Sequence, residues 1–335
     1  MKFCIFNNYD VGDNHLYAQL EQMNSFADNE NINYSTFVEY TKICDWAIRR
    51  QEYNFIIDQV DSYAAKLGRQ LNILDIGCGV VPLCNKFSNS GHKVIACDPI
   101  KADIDFLISN NMNNIYDSSV EYLVANAENL PFESNSFDVV YMASVLEHIP
   151  TGNDELALIE AGRVLKKGGL LVLTTDIEPV GADNRRHYMR AFTARNISGI
   201  TEIMQKISGQ KSEILCDGIE QLEKLTWDEV YDFWSKTSST DKREEGIRHY
   251  LAIGMSCVKY DTVEMATDLK IEKLIFSVQN LIDDYCKITD GLSAKEHMIQ
   301  QKEEALQELS RSLVEKEAVI QELDTYIKQN IKGKK

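Results

Sequence analysis

Residues 71–98 of this 335-residue chain hold two buried-strand patterns, joined by a glycine turn and a helix, and the second strand ends in an acid. The segment begins Leu-Asn-Ile-Leu-Asp-Ile-Gly-Cys-Gly and ends Val-Ile-Ala-Cys-Asp-Pro. This spacing predicts two parallel strands with a nucleotide-sized pocket at their carboxyl ends. Gly77 and Gly79 permit a sharp turn and a close ligand. Asp98 can accept hydrogen bonds from both hydroxyls of a ribose.

The turn argues against a dinucleotide-dependent dehydrogenase. Residues 75–82 read Asp-Ile-Gly-Cys-Gly-Val-Val-Pro, without the third glycine that lets a pyrophosphate sit on the helix N-terminus. Asp75 would repel a diphosphate, and it suits a cationic ligand instead.

The alternation of strands and helices continues along the chain. The loop 126–132 reads Asn-Ala-Glu-Asn-Leu-Pro-Phe, and residues 143–149 read Ala-Ser-Val-Leu-Glu-His-Ile. Apolar runs predict four further strands, which lie within residues 120–125, 136–142, 158–173 (after a helix and a Lys-Lys-Gly-Gly turn) and 249–259.

In this order, the segments resemble class I S-adenosylmethionine-dependent methyltransferases over residues 45–178. The resemblance implies an α/β fold with a doubly wound, mostly parallel, seven-stranded Rossmann-like sheet, and S-adenosylmethionine as the cofactor. Two positions depart from the family's pattern: Val81 replaces a small residue, and Asn126 replaces an aspartate. The amide of Asn126 can both donate and accept hydrogen bonds, so it can still read the adenine edge.

The resemblance also implies which residues bind the cofactor. Residues 36–66 predict a helix whose sequence resembles an Arg-x-x-Glu-Tyr helix that lids the cofactor in some bacterial methyltransferases. Either Arg49 or Arg50 could meet the methionine carboxylate there, and a solvated helix face is the alternative. The other implied residues are Asp75, Gly77, Cys78, Gly79, Asp98, Pro99, Asn126, Ala127, Glu128 and Ala143.

A hydroxyl acceptor needs a base to take its proton, and three residues are candidates. His148 follows the fourth strand, Asp176 follows the fifth, and His187 lies in the loop after it. A structural role at a helix start is the alternative for His148. We find no clustered carboxylates in a metal-ligand arrangement and predict no metal. Four aromatic residues of a predicted helical insertion (214–245) line a ring-binding pocket or pack in the core: Trp227, Tyr231, Phe233 and Trp234.

Charge and composition narrow the class of protein. The net charge is −17, and most of it lies before residue 264, so a nucleic-acid backbone is a poor substrate. The absence of 18 consecutive apolar residues predicts no transmembrane segment. The eight cysteines have no Cys-x-x-Cys spacing, which is typical of reduced, buried thiols. We expect a cytoplasmic protein.

A heptad repeat dominates the C-terminal third. Apolar residues hold one 3–4–3–4 register over residues 271–330, which predicts a long α-helical coiled coil. Such a rod implies a homo-oligomer, either a dimer or a trimer, because lysines at d positions leave the strand number open. The alternatives are a helix folded back on its own domain and a disordered charged tail.

These patterns predict three regions: an N-terminal polar segment with the start of the lid helix (1–45), a methyltransferase domain (46–262, with an acceptor loop and insertion at 178–247) and the coiled coil (264–332). We expect O-methylation of a hydroxylated small molecule or glycan. The layout resembles bacterial surface-polysaccharide methyltransferases that carry a coiled-coil spacer. The alternative is a non-catalytic, cofactor-binding assembly protein whose rod recruits a glycosyltransferase partner.

Overall fold

The computed structural model describes residues 2–6, 16–43, 46–150, 152–179, 192, 194–209, 213–237 and 250–260. The chain divides into two units, Met1–Leu274 and Ile275–Lys335, and all described residues belong to the first. The predicted coiled coil, His187 and most of the predicted acceptor loop therefore lie outside the described residues.

Within these ranges, seven strands form one mixed sheet in the order β1-β7-β6-β5-β2-β3-β4. Strands β2 to β6 pair in parallel, whereas β7 runs antiparallel to both β6 and β1. This confirms the predicted mostly parallel, seven-stranded sheet. The strands are β1 (Lys2–Phe6), β2 (Asn72–Ile76), β3 (Lys93–Asp98), β4 (Glu121–Val124), β5 (Phe137–Ala143), β6 (Leu165–Ile177) and β7 (Leu251–Val258).

Helices cover both faces of the sheet. Successive strand residues point to opposite faces, so Ile73 and Leu74 enter two separate apolar clusters. The helices are α1 (Tyr17–Asn29), α2 (Ser35–Ile43), α3 (Ala47–Leu67), α4 (Leu83–Asn89), α5 (Lys101–Ser109), α6 (Met112–Ile115), α7 (Asn153–Val164), α8 (Ala194–Ser208), α9 (Glu213–Glu223) and α10 (Trp227–Thr237). No described helix is long and apolar enough to cross a membrane.

The N-terminal strand β1 corrects the sequence analysis, which interpreted residues 1–45 as a polar segment with the start of the lid helix and predicted no strand there. The five residues of β1 pair with β7 at the edge of the sheet. Phe6 is buried and packs edge-to-face on Phe55 of α3, with the ring centroids 5.7 Å apart. The predicted helix over residues 36–66 is a second correction, because the structure divides it into α2 and α3.

The aromatic residues of α10 serve mainly as packing. Phe233 and Trp234 are buried in the apolar cluster that covers one face of the sheet. The Nε1–H of Trp234 donates to the carbonyl oxygen of Tyr250 at 2.7 Å, which ties α10 to the start of β7. Tyr231 is exposed and stacks on Trp227, with the ring centroids 5.8 Å apart.

Candidate active site

The glycine turn after β2 is held against the end of β3. The backbone N–H groups of Gly77 and Cys78 both donate to the carbonyl oxygen of Cys97, at 2.8 and 3.1 Å. Gly77 has a φ of 75° and Gly79 a φ of 50°, in the left-handed region that favours glycine. A Cβ on Gly77 would lie only 2.6 Å from Cγ2 of Val145, so the turn has no room for a larger residue.

Asp98 closes the turn from the tip of β3. One of its carboxylate oxygens accepts from the backbone N–H of Gly79 at 3.0 Å, and the other accepts from that of Ile100 at 2.8 Å. Burial raises the pKa of Asp98, and the nearby His148 acts in the opposite direction. Each carboxylate oxygen can accept a second hydrogen bond, so Asp98 is oriented and still able to bind a diol.

Asp75 lies beneath the turn. It is buried, and its Oδ2 accepts from the Tyr141 hydroxyl at 2.7 Å. Burial raises the pKa of Asp75 to about 7, although the hydrogen bond from Tyr141 lowers it and Asp98 raises it further. Asp75 therefore anchors β2 to β5 at this edge of the sheet, and its charge is costly for the folded state near neutral pH.

We predict that Asp75→Asn flattens the pH dependence of stability. Because folding raises the pKa of Asp75, the stability that Asp75 contributes to the folded state is fully present below about pH 4 and is lost as the pH rises towards 7. The asparagine can still accept from Tyr141, but it carries no charge. Urea unfolding from pH 4.5 to 8 measures the free energy of unfolding of both proteins. Relative to the wild type, that of the variant should rise by a few kcal/mol over this range, at roughly 1.4 kcal/mol per unit of the pKa shift. Parallel pH profiles for the two proteins would contradict the assignment.

The loop after β4 is held by a pair of residues that the sequence analysis missed. Glu160 and Arg163 of α7 bind each other, and Glu160 accepts from the backbone N–H of Leu130 at 3.0 Å. Arg163 donates to the carbonyl oxygens of Leu130 and Phe132 at 3.0 and 2.7 Å. The sequence carried no signal for this pair, since two charged residues three apart on a helix are common on exposed faces.

The residues of that loop differ in exposure. Asn126 is exposed, Ala127 is buried, and Glu128 is half-buried and accepts from Asn153 at 3.2 Å. The N–H of Ala125 donates to the carbonyl oxygen of Asp98 at 3.1 Å, which brings the loop beside the turn.

Helix α2 covers the glycine turn. A Cβ on Gly79 would lie 3.1 Å from the hydroxyl oxygen of Tyr40, so Tyr40 packs directly on the turn. The hydroxyl of Tyr34, just before α2, donates to Asp103 of α5. The ring of Tyr34 stacks on Phe106 with the centroids 4.9 Å apart. The sequence assigned the lid to one helix; in the structure, α2 covers the glycine turn and α3 carries the charged residues.

Arg49, at the start of α3, reaches the carboxyl ends of β5 and β6. It is buried, and its Nη1–H donates to Glu52 at 2.7 Å and to the hydroxyl of Ser144. The same nitrogen lies 3.9 Å from Oδ1 of Asp176. The sequence left Arg49 and Arg50 as alternatives, and the structure places Arg49 in this group.

Burial and charge compete at Arg49 and Glu52. Burial lowers the pKa of Arg49, but the neighbouring carboxylates outweigh it and hold that pKa well above its ordinary value. Burial raises the pKa of Glu52 despite Arg49 and the hydrogen bond from Ser144. The guanidinium therefore stays charged and serves as the counter-ion of this buried group.

Two more residues complete the group around Arg49, and neither was predicted. Ser144 follows β5 with a φ of 52°, a strained conformation for a residue other than glycine. Glu147 is buried in the 3-10 turn Leu146–His148, and its Oε2 accepts from the Thr175 hydroxyl at 2.8 Å. Sequence reasoning saw Glu147 only as part of a motif, because nothing local indicates that its carboxylate is buried.

Two of the three catalytic candidates, Asp176 and His148, lie within the described residues. Asp176, near the end of β6, is fully buried in the group around Arg49. His148 is exposed and lies near Asp98. His187 lies outside the described residues.

Of the other predicted binding residues, Cys78 is buried, Ala143 is half-buried at the end of β5, and Pro99 is exposed. Among the described residues, no three His, Cys, Asp or Glu side chains are grouped so that they could hold a metal ion.

Comparisons with known proteins agree with this geometry. Residues 74–173 match the family model described as a methyltransferase domain. A ubiquinone biosynthesis O-methyltransferase of Bartonella tribocorum is 34% identical over 106 residues, which are 31% of this chain and 41% of the relative. A ubiquinone/menaquinone biosynthesis C-methyltransferase of Hahella chejuensis is 34% identical over 133 residues, or 38% of this chain and 52% of the relative. The chain spans about half the length of the curated relatives it matches.

Two solved structures resemble part of this chain. The YcgJ protein of Bacillus subtilis has a TM-score of 0.44 at 17% identity and covers 63% of this chain and 99% of its own. A 1,6-didemethyltoxoflavin-N1-methyltransferase of Burkholderia thailandensis has a TM-score of 0.43 at 17% identity and covers 75% of this chain and 92% of its own.

The match of residues 74–173 to a methyltransferase domain agrees with the resemblance that the sequence analysis found. The described residues fit S-adenosylmethionine, the cofactor that the resemblance implies, because the turn has the left-handed φ values that glycine permits and Asp98 presents an oriented carboxylate beside it.

Proposed function

We propose that this protein transfers a methyl group from S-adenosylmethionine to a hydroxyl of its acceptor, at the carboxyl edge of β2, β3, β5 and β6. The observation that carries the proposal is the position of two features at the same edge of the sheet. The glycine turn closed by Asp98 follows β2, and the buried acidic group lies at the ends of β5 and β6, the next two strands in the sheet. When bound, the cofactor supplies a methyl group on a positively charged sulfur. The protein then has to hold both reactants in line and receive the acceptor's proton.

The residues divide this work by position. Asp98 and the loop at Asn126 bind the nucleoside, with Glu160 and Arg163 holding that loop in place. The proton acceptor is a carboxylate or imidazole at the same edge of the sheet, and our candidates remain Asp176, His148 and His187. The exposed side chain of His148 can exchange its proton with solvent.

The names of the relatives support an oxygen acceptor. Several relatives are called ubiquinone biosynthesis O-methyltransferases, although a C-methyltransferase and a sterol 4-C-methyltransferase of Caenorhabditis elegans also match. A glycan acceptor, including a capped bacterial surface polysaccharide, is a finer proposal based on the sequence layout alone. The relatives' names give it no support.

A methyl-transfer assay tests the proposal. The full chain is incubated with S-adenosylmethionine labelled in its methyl group, together with polyhydroxylated phenols and saccharides, and calorimetry measures cofactor binding in parallel. We expect the label to appear on an acceptor oxygen and the transfer to fall in His148→Ala or His187→Ala. Cofactor binding without any transfer would favour the alternative of an assembly protein, and a lack of binding would refute both functions.

We further propose that residues 271–330 join two or three copies of the chain as a coiled coil, which the heptad register supports. Light scattering on the full chain should report two or three times the mass of one chain, independent of concentration above the micromolar range. A replacement of Leu281 by lysine, at a d position, should lower that mass. The mass of a single chain in the wild type would contradict the proposal. A glycosyltransferase partner on the same rod remains a prediction.

A further inference from the structure

Glu147 is buried, and the two oxygens of its carboxylate differ in their hydrogen bonding. Its Oε2 accepts from Thr175, but among the described residues its Oε1 has no hydrogen-bond donor, although that atom is out of contact with solvent. A buried carboxylate oxygen left without a donor costs free energy, which a positive or hydrogen-bonding ligand would recover. Glu147 is about 1% exposed, so solvent does not satisfy it in the folded chain.

The surroundings of Glu147 are acidic. Glu147 lies close enough to Glu52 to raise the pKa of Glu52, and Thr175 joins Glu147 to the strand that carries Asp176. Arg49 lies in the same group, and its Nη1 faces both Glu52 and Asp176. Glu147 thus adds a third buried carboxylate to the two that face this guanidinium.

The group also lies beside the glycine turn. Val145, between Ser144 and Glu147, packs onto Gly77, where an added Cβ would be 2.6 Å away. The backbone that carries Glu147 is therefore in contact with the turn that we assign to the cofactor. Asp75, which precedes that turn, and Asp98, which accepts from Gly79 within it, are also buried carboxylates.

We propose that Glu147 is a specificity-determining residue, which makes the site prefer the positively charged sulfonium of S-adenosylmethionine over the neutral thioether of its demethylated product. This inference rests on the proposed function, because it requires the cofactor at the glycine turn. Attraction between an unpaired buried carboxylate and a cation is weakly screened, and the neutral product gains none of it. The site would therefore release its product readily and be inhibited little by it.

The affinities of three ligands test the inference without an acceptor. Calorimetry on the full chain gives Kd for S-adenosylmethionine, for S-adenosylhomocysteine and for sinefungin, which carries an amine in place of the sulfonium. We expect both cations to bind at least about ten-fold more tightly than the homocysteine product. In Glu147→Gln, this preference should shrink to within about three-fold, through weaker binding of the two cations alone. Glu147→Asp keeps the charge and should keep most of the preference.

Glu121→Gln is the matched control, because it removes one negative charge from an exposed residue at the amino end of β4, at the opposite edge of the sheet. Its preference should equal that of the wild type. Equal wild-type affinities for all three ligands would overturn the inference even if Glu147→Gln did not fold. An equal loss for all three ligands in a folded Glu147→Gln would also overturn it, since Glu147 would then be structural. If none of the ligands bound the wild type, the proposed function itself would fail.

Discussion

Replacing Asp98 by alanine should weaken the binding of S-adenosylmethionine and of its demethylated product by about a hundred-fold. Two hydrogen bonds from ribose hydroxyls to a carboxylate are lost, and hydrogen bonds to charged groups contribute roughly 1.5–3 kcal/mol each. The turn is also loosened, because the N–H groups of Gly79 and Ile100 lose their acceptor. Both ligands should be affected equally, since both contain the ribose.

Calorimetry on the purified variant measures this loss, and thermal unfolding checks that the variant is folded. Asp105→Asn is a suitable control, because Asp105 lies one turn along α5 from Lys101, is exposed and forms a surface ion pair with it. Unchanged affinity in Asp98→Ala would remove Asp98 from the cofactor site. A loss of only the S-adenosylmethionine affinity would show that Asp98 acts on the sulfonium and not on the ribose.

Replacing Arg49 by methionine should lower the free energy of unfolding by about 3–5 kcal/mol at pH 7, the usual cost of removing one partner from a buried ion pair. Methionine fills a similar volume, but it leaves Glu52 and Asp176 without the guanidinium that faces them. The effect on catalysis is secondary to this loss, because the group around Arg49 ties α3 to the ends of β5 and β6.

The pH dependence of this loss identifies its cause. Burial already raises the pKa of Glu52 in the folded wild type, so the stability linked to Glu52 is present at low pH and declines as the pH rises through that pKa. Without Arg49 the decline becomes steeper, and the destabilisation should be smaller at pH 4.5 than at pH 7.5. Urea unfolding at both pH values measures the difference.

A double-mutant cycle isolates the pair. Glu52→Gln in the Arg49→Met background removes the stranded charge, so the double variant should be more stable than Arg49→Met alone. A loss in Arg49→Met that does not change with pH, and that Glu52→Gln does not relieve, would show that packing and not charge holds this group together.

The central strands and the turn were predictable because their signals are local. A strand buried on both faces of a parallel sheet is a continuous apolar run, as in β2 and β3, and the glycines and acid that follow it lie within a few residues. Asp98 could be assigned to the tip of β3 for the same reason. The edge strand β1 was not predicted because it is only five residues long. It forms a strand by pairing with β7, which lies about 250 residues later in the sequence.

The sequence by itself determined the class of fold, the glycine turn and the carboxylate that closes it, since apolar periodicity and glycine placement are properties of neighbouring residues. Only the tertiary structure decided that Arg49 is buried against Glu52 and Ser144, with Glu147 close to Glu52. Those residues come from α3 and from the ends of two strands, and their charges matter because folding removes them together from water. Burial makes the charge of each carboxylate costly and shifts its pKa, and this burial exists only once these distant segments have packed against one another.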